Sequence, residues 1–532
     1  MQEILEQSVA AGHPVECDVL VVGGSLVGLS AAAFLGHHGV NALVVEKHAG
    51  TSIHPRAGYF HLGTMECYRR IGLEHAILAA SREQFGPDGG INAVESLAGR
   101  ELAKHIPDIN LGVEPYSACR RFFMTQQSLE PLLHTRAAEL GARLSYRTEL
   151  VTFEQRPDHV LATVRDCDSG QEAQIRARWM IAADGNRSPV RERLGIAMEG
   201  PGLLSDSITI YFTADCRPWL EGRQLGVIYV INRDQRGFFR FEAGGTRGFL
   251  AVNTLGDLGL PGAKDIARDT SHDRCMELVR SAVGVPDLAV EIEDVATWKA
   301  TAECATHFRN GRIFLAGDAA HVVPPTGGFG GNTGVQDAAN LCWKLALVIK
   351  GEAGEALLES YEAERLPVGQ LTVEQAYARY IRRVVPEEIA PDTPEVRDEL
   401  TMEIGQFYRS NAVVEGRSED EPACLHPDLT RGRPGSRVPH AWLADGRSTL
   451  DCTGTGLALL HGSRGKAWKD LADSLSIPAT CLPCDAAGKC GIGEDGALLL
   501  RPDGFVAWRA TDSARSRPEE LRMALRSILA KS

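Results

Sequence analysis

Residues 17–47 read CDVLVVGGSLVGLSAAAFLGHHGVNALVVEK, and the order of elements in this stretch decides the fold. CDVLVVGG at 17–24 is a short apolar run of buried-strand character, and LVGLSAAAFLGHH at 26–38 changes to helical spacing with small residues on one face. A second apolar run, NALVVEK at 41–47, carries Glu46 to a strand tip 23 residues after Gly23. Strand, glycine turn, helix and strand form a βαβ unit, the opening of a parallel sheet. The turn itself is Gly23-Gly24-Ser25-Leu26-Val27-Gly28. A dinucleotide-binding turn needs a tight bend, a small residue where the backbone meets the pyrophosphate, and a glycine where helix and strand pack closely. Ser25 stands where the second glycine is expected and is small enough for that place. Glu46 can accept hydrogen bonds from both ribose hydroxyls of a nucleotide; the plainer alternative is a solvated strand-end acid.

Working outward, a helical pattern at 128–142 leads through alternating strands to a buried strand, ARWMIAAD at 177–184, which runs into GNRSPVRERLG. Residues 206–252 alternate at period two between turn clusters, as in an antiparallel sheet inserted into the first domain. GRIFLAGDAA at 311–320 returns to strand-then-helix, and 333–383 is strongly helical. Stretches rich in proline and acidic residues at 385–395 and 415–437 read as linkers before a small α/β segment of short strands and a final helix.

The string GRIFLAGDAAHVVPPTGGFGGNTGVQDAANLCWKLA at 311–346 separates FAD from NAD. Asp318 ends a strand and is followed by a loop of two prolines and five glycines before a helix opens. A carboxylate there can bind a sugar-alcohol chain, and a bare helix N-terminus can offer backbone N–H groups to an electron-rich ring. No fold that binds NAD alone needs both.

Composition narrows the remaining classes. The chain has 532 residues, 44% hydrophobic and 24% charged, so several globular domains are expected and a small disulfide-stapled fold is excluded. With 56 Lys+Arg against 70 Asp+Glu, the net charge is −14 and no basic patch offers itself to nucleic acid. A signal sequence is missing at the N-terminus, and no run approaches the ~18 apolar residues of a membrane span. A cytoplasmic protein with no membrane partner is expected. The thirteen cysteines read as small buried hydrophobes of a reducing compartment.

With these motifs in place the chain resembles the class A flavoprotein aromatic hydroxylases, the para-hydroxybenzoate hydroxylase superfamily, and within it the branch that tailors bacterial aromatic polyketides. Three fingerprints carry the resemblance: the turn at 23–28, the segment Asp184-Gly185-Asn186-Arg187-Ser188-Pro189-Val190-Arg191, and Gly317-Asp318 running on to Asn332. It implies a fold mixing α/β and α+β parts. A Rossmann-like FAD-binding domain would span 1–200 and 300–400, an inserted antiparallel-sheet substrate domain 201–299 with parts of 85–125, and a thioredoxin-like domain 411–532.

The resemblance also implies roles. Gly23, Ser25 and Gly28 would form the pyrophosphate turn, and Glu46 would bind the adenosine ribose. Arg56 and Gln126 would contact the pyrophosphate and ribityl region, and Asp318 the ribityl hydroxyls. Pro325 would line the space over the flavin, while backbone N–H groups at Gly330, Gly331 and Asn332 would face the pyrimidine end of its ring. Asp184 would serve both FAD and the nicotinamide cofactor, and Arg383 would help ionise a phenolic substrate. The implied activity is FAD-dependent hydroxylation of a phenolic, polycyclic polyketide substrate by dioxygen through a flavin C4a-hydroperoxide. NAD(P)H, with NADPH the expected donor, would reduce the flavin, and the protein would be a monomer or homodimer. Baeyer–Villiger or ring-cleaving oxygenation, and an FAD oxidase without oxygen insertion, are the alternatives.

The chain departs from the pattern in two places, at Ser25 and at Gly63. Gly63 replaces the family's arginine, and the bulky Tyr59, Phe60 and His61 lie just upstream. Near the end of the chain, Cys481 and Cys484 form a CxxC that reads as lying on a strand, away from the helix N-terminus that a redox pair needs. Neither redox work nor metal ligation with Cys490 is expected, and no metal-ligand cluster is recognised elsewhere. His321 reads as a packed or hydrogen-bonded loop residue rather than a base.

Overall fold

The computed structural model describes residues 13–52, 58–85, 89–223, 225–253, 269–511 and 518–531. Its first sheet grows from Val15–Val22, which pairs in parallel with Ala42–Val45 on one side and Glu172–Ala182 on the other. Arg143–Ser145 extends one flank and Ile313–Leu315 the other, again in parallel. Val19, Leu20 and Val21 are fully buried, which is why this strand reads as a continuous apolar run rather than an alternating one. The helix Leu26–His37 (α1) packs against Gln126–Glu139 (α2) and Phe329–Ile349 (α3), and its own sequence is apolar almost all round because both sides are covered. A fourth long helix, Glu359–Val384 (α4), follows α3 after one turn of 3-10 helix.

The second sheet has eight strands. Its order runs from His321–Val322 through Glu291–Ala305, Met198–Thr213, Arg247–Asn253, Arg236–Phe241 and Leu225–Ile231 to Gly90–Val94 and Glu101–Ile106. One face, with Ile208, Ile210, Phe212, Ile228, Phe239 and Leu250, is covered by the helix His272–Val283. The opposite face turns Tyr229 and Phe238 toward Tyr59 and Phe123. Tyr59 and Phe123 belong to a short two-stranded ribbon, Tyr59–Phe60 with Phe122–Phe123, which lays aromatic side chains against this face.

A third, four-stranded sheet lies near the C-terminus, with Ala458–His461 and Ala497–Leu500 at its centre. Helices Lys466–Ser474 and Pro518–Ile528 cover one face, and Ala486 and Ala487 pack with Leu460, Leu498 and Leu500 in a separate cluster. Here one expectation is corrected. Cys481 ends the edge strand Ala479–Cys481, but Cys484 opens the short helix Cys484–Lys489, so the pair straddles a strand–helix junction. Pro483 lies between them at φ −55° and has no N–H with which to continue the ladder. Both thiols are exposed and unpaired.

A second correction concerns the glycine string. Gly330 and Gly331 belong to the first turn of α3, which begins at Phe329, rather than to the loop before it. The span 385–395, read as a linker, holds a 3-10 turn at Pro386–Glu388, and the chain soon forms a helix, Glu399–Ile404, that supplies acids to the site described next. No helix among the described residues is long and apolar enough to cross a membrane.

Candidate active site

The glycine turn has no room for side chains. Gly23 holds φ at +104°, where a Cβ would lie 2.2 Å from the Ala183 carbonyl oxygen, and a Cβ on Gly28 would lie 1.8 Å from that of Gly23. Helix α1 is thereby drawn tight onto the strand before it. Ser25 occupies the N-cap of α1 but makes no side-chain cap bond. Its hydroxyl turns instead to Glu130 Oε1 at 2.5 Å, while Gln126 Nε2 donates to Ser25 Oγ at 2.7 Å and to Glu130 Oε1 at 2.6 Å. The first-turn N–H groups of α1 are thus left without a capping side chain, the arrangement that receives a phosphate. Glu46 stands beside them, accepting from Gly24 N at 2.7 Å and His48 N at 2.8 Å.

Asp184 follows the end of the neighbouring parallel strand. Its Oδ2 accepts from Val190 N at 3.2 Å, whereas Oδ1 is buried with no partner. Burial raises its pKa above the usual carboxylate range, opposed by Ser188 and Val190. A buried acceptor is rarely left unsatisfied, so this oxygen calls for a donor from a bound group.

A second helix N-terminus adjoins the first. A Cβ on Gly334 would lie 2.6 Å from Val27 Cγ2 and 2.9 Å from Gly317 Cα, which brings the start of α3, the Asp318 turn and the start of α1 together. Gly328 is the N-cap of α3 at φ +70° and also lacks a side-chain cap. Asp318 is exposed in the turn Gly317–Ala319, and a Cβ on Gly330 would lie 4.0 Å from its Oδ1. Pro325 is exposed, and its carbonyl accepts from Gly328 N at 3.0 Å. Asn332 differs from the others because its side chain is fully used within the protein. Oδ1 accepts from His61 N at 2.9 Å and Thr64 Oγ1 at 2.6 Å, and Nδ2 donates to Tyr59 O at 3.0 Å and Gly328 O at 2.6 Å. It pins the Tyr59–His61 segment to α3, and the N–H groups left without an intrahelical partner at this helix start are those up to Gly331. Arg56 lies outside the described residues. Two helix N-termini without side-chain caps and an orphaned carboxylate oxygen fit an anionic dinucleotide such as FAD.

The aromatic layer forms the other wall. Tyr59 is 8% exposed, packs against Phe123 and His61 at ring distances of 5.4 and 5.0 Å, and has a buried hydroxyl with no partner. Burial, reinforced by Glu403, pushes its pKa well above 10. His61 Nε2 lies 3.0 Å from Gly327 O, and burial lowers its pKa to about 4. Arg383 reaches this wall from the end of α4, 14% exposed, with Nη2 3.8 Å from Glu399 Oε1 and its guanidinium within reach of Tyr229. Burial opposes its charge, but Tyr229 and Glu399 outweigh burial and raise its pKa. Arg379, one turn earlier, lies 4.8 Å over the Phe329 ring.

The Gly63 departure now has a steric explanation. A Cβ there would lie 2.4 Å from Gln336 Nε2 and 2.6 Å from Glu403 O, so no arginine fits. Glu403 instead pairs with the buried Arg121 at 2.9 Å. Glu130, Tyr229, Arg240 and Arg379 escaped the reading of the sequence. The i,i+4 spacing of Gln126 and Glu130 could have revealed the first, and strand alternation could have put Tyr229 on a face. His321 is the packed residue expected, its Nε2 2.7 Å from the buried Asp337 Oδ2. Among the described residues no group of three or more His, Cys, Asp or Glu could hold a metal ion.

Helix N-termini without side-chain caps beside parallel strands, one of them adjoining an aromatic wall backed by the second sheet, fit a flavoprotein that acts on aromatic rings. The FAD binding domain family model matches residues 16–376, and the aromatic-ring hydroxylase C-terminal model matches 431–532. The chain belongs to this family and is an FAD-dependent aromatic monooxygenase. It is 52% identical to a 4-methyl-5-nitrocatechol 5-monooxygenase from Burkholderia sp, with 97% of this chain and 98% of that protein covered. It is 39% identical to the tetracenomycin A2 monooxygenase-dioxygenase of Streptomyces glaucescens, with 97% of each covered. The crystal structure of aklavinone-11 hydroxylase with FAD and aklavinone superposes at a TM-score of 0.90 and 35% identity, covering 98% of this chain and all of that one. The tetracenomycin and aklavinone enzymes are of the polyketide branch expected from the fingerprints, whereas the nitrocatechol enzyme is named for a single-ring phenol.

Proposed function

We propose that the chain uses NAD(P)H, with NADPH the expected donor, to insert one oxygen atom of dioxygen into a phenolic ring held against Arg383 and Tyr229. The observation that carries this reading is the Arg383 guanidinium, held by Glu399 and Tyr229 at the edge of the aromatic layer. Bound FAD would supply reducing equivalents and activated oxygen. The chain's own residues do the rest. Ser25, Gly23, Gly28 and Glu46 hold the nucleotide end at the start of α1, with Gln126 setting Ser25 in place. Asp318 takes the ribityl chain, Asp184 serves the cofactors from its unpaired oxygen, and the N–H groups of Gly330 and Gly331 face the ring, with Pro325 above it. Residues 1–200 and 300–400 are the cofactor domain on this reading, and 201–299 with parts of 85–125 the substrate domain.

A phenol titrates near ~10, so little of it is ionised at neutral pH, and a fixed cation beside the oxygen favours the phenolate that attacks an electrophilic oxygen. Tyr59, Phe123 and Phe329 exclude water around the ring. The relative at 52% identity is named for a one-ring nitrocatechol and those at 36–39% for polycyclic polyketides, so both ring sizes belong in the substrate panel. The test is purification, a visible spectrum, and NAD(P)H oxidation with 4-methyl-5-nitrocatechol and with polycyclic phenols. A product bearing one more oxygen supports the reading. A colourless protein that takes up no FAD would overturn it.

A further inference from the structure

Arg240 is 2% exposed, and its guanidinium lies between two phenylalanine rings, 3.8 Å from the centre of Phe85 and 4.1 Å from that of Phe123. Nη1 donates to the Gly58 carbonyl, whereas Nε and Nη2 are buried with no partner. No carboxylate pairs with it among the described residues, and burial alone drives its pKa far below the ordinary arginine value. A buried cation with two unused donors is among the most costly groups a fold can keep, and it is normally retained where an anion completes it.

Its position says where that anion comes from. Tyr229 pairs directly with Phe238 across neighbouring strands, and alternation puts Arg236, Phe238 and Arg240 on the same face as Tyr229. At one end of this face Arg236 Nη1 donates to Val384 O at 2.7 Å, seating the end of α4 and with it Arg383. Arg240 stands four residues along the strand, about 13 Å away at the usual rise. Arg236, itself paired with Glu387 at 2.8 Å, and Arg240, with no carboxylate partner among the described residues, thus bracket the face on which Tyr229 and Phe238 meet Tyr59 and Phe123.

We propose that Arg240 is a second substrate-binding residue, receiving through Nε and Nη2 a negatively charged or strongly polarised oxygen on a ring substituent, as in a nitrophenolate whose charge is shared with its nitro group. This rests on the reading of the chain as a phenol monooxygenase. Guanidinium suits the task because two of its N–H groups present a planar fork to paired oxygens.

The test uses the FAD-loaded enzyme, with 4-nitrocatechol and catechol titrated into wild type, R240M and R240K while the flavin spectrum is followed. The expected result is a loss of at least about tenfold in 4-nitrocatechol affinity in R240M, with catechol binding changed less than about twofold. KM rather than kcat should carry the loss in turnover. R240K keeps the charge without the fork and should show the same selectivity in weaker form, which carries the test if R240M does not fold. Equal losses for the two phenols would overturn the proposal. So would release of FAD with unchanged selectivity, which would assign the cation to the cofactor. A wild type that binds neither phenol and oxidises NAD(P)H with no phenol would defeat the monooxygenase reading itself.

Discussion

Arg501 and Glu364, 137 residues apart in the chain, meet in two parallel hydrogen bonds of 2.6 and 2.9 Å with neither side chain exposed. Lys344 joins the same carboxylate at 2.8 Å, and Asp503 lies 3.0 Å from Arg501 Nε. The C-terminal sheet is thereby tied to α3, which follows the Asp318 turn, and to α4, which carries Arg383. Burial raises the Glu364 pKa, but Arg501 and Lys344 outweigh it and hold the carboxyl far below its ordinary range.

Removing one partner leaves buried cations uncompensated, which costs ~3–5 kcal/mol for a buried pair. Glu364→Gln should therefore lower the midpoint of urea unfolding by an amount of that order. An unchanged midpoint would show that the cluster holds nothing together.

His61 and His38 are both buried, and burial lowers their pKa values from 6.5 to about 4 and about 3. Between these values and 6.5 the unfolded chain binds more protons than the folded one, so stability falls as pH drops through that window. His61 alone accounts for about 3 kcal/mol at 1.36 kcal/mol per unit. Thermal melts from neutral pH down to about 4 should show the decline, and His61→Gln should flatten it.

Asp318→Ala should weaken FAD retention by ~1.5–3 kcal/mol, the value of hydrogen bonds to a charged acceptor. Equilibrium dialysis of the yellow protein measures this directly. Retention equal to wild type would move the ribityl contact elsewhere.

Arg383→Gln should bind substrate yet oxygenate it slowly, with NAD(P)H oxidation diverted to hydrogen peroxide. Activity should recover at alkaline pH, where the phenol ionises unaided. Normal coupling and an unchanged pH profile in the variant would put the ionising group at another residue.

Cys481 and Cys484 are exposed, and the helix that Cys484 opens has only six residues. Substitutions away from special features move free energies by about 0.5 kcal/mol or less, so replacing both with Ser should leave turnover within about threefold. Loss of NAD(P)H-dependent activity in the folded double variant would revive a redox role.

The sequence by itself determined the parallel sheet, the glycine turn and the Asp318 segment, because each rests on neighbouring residues. A turn, a strand and a helix start are set by local backbone preference and apolar periodicity over a few positions. It also marked Arg383 and the unusual Tyr59–His61 run. Only the tertiary structure decided what surrounds them. Gly63 excludes a side chain because Gln336 and Glu403, hundreds of residues away, fill the space. Asn332 loses its side chain to His61, Thr64, Tyr59 and Gly328. Arg240 reads as an ordinary strand arginine until Phe85 and Phe123 close over it with no counter-ion among the described residues. Burial, and the pairing or isolation of charge that follows from it, depends on which distant segments meet, and local periodicity carries no record of that.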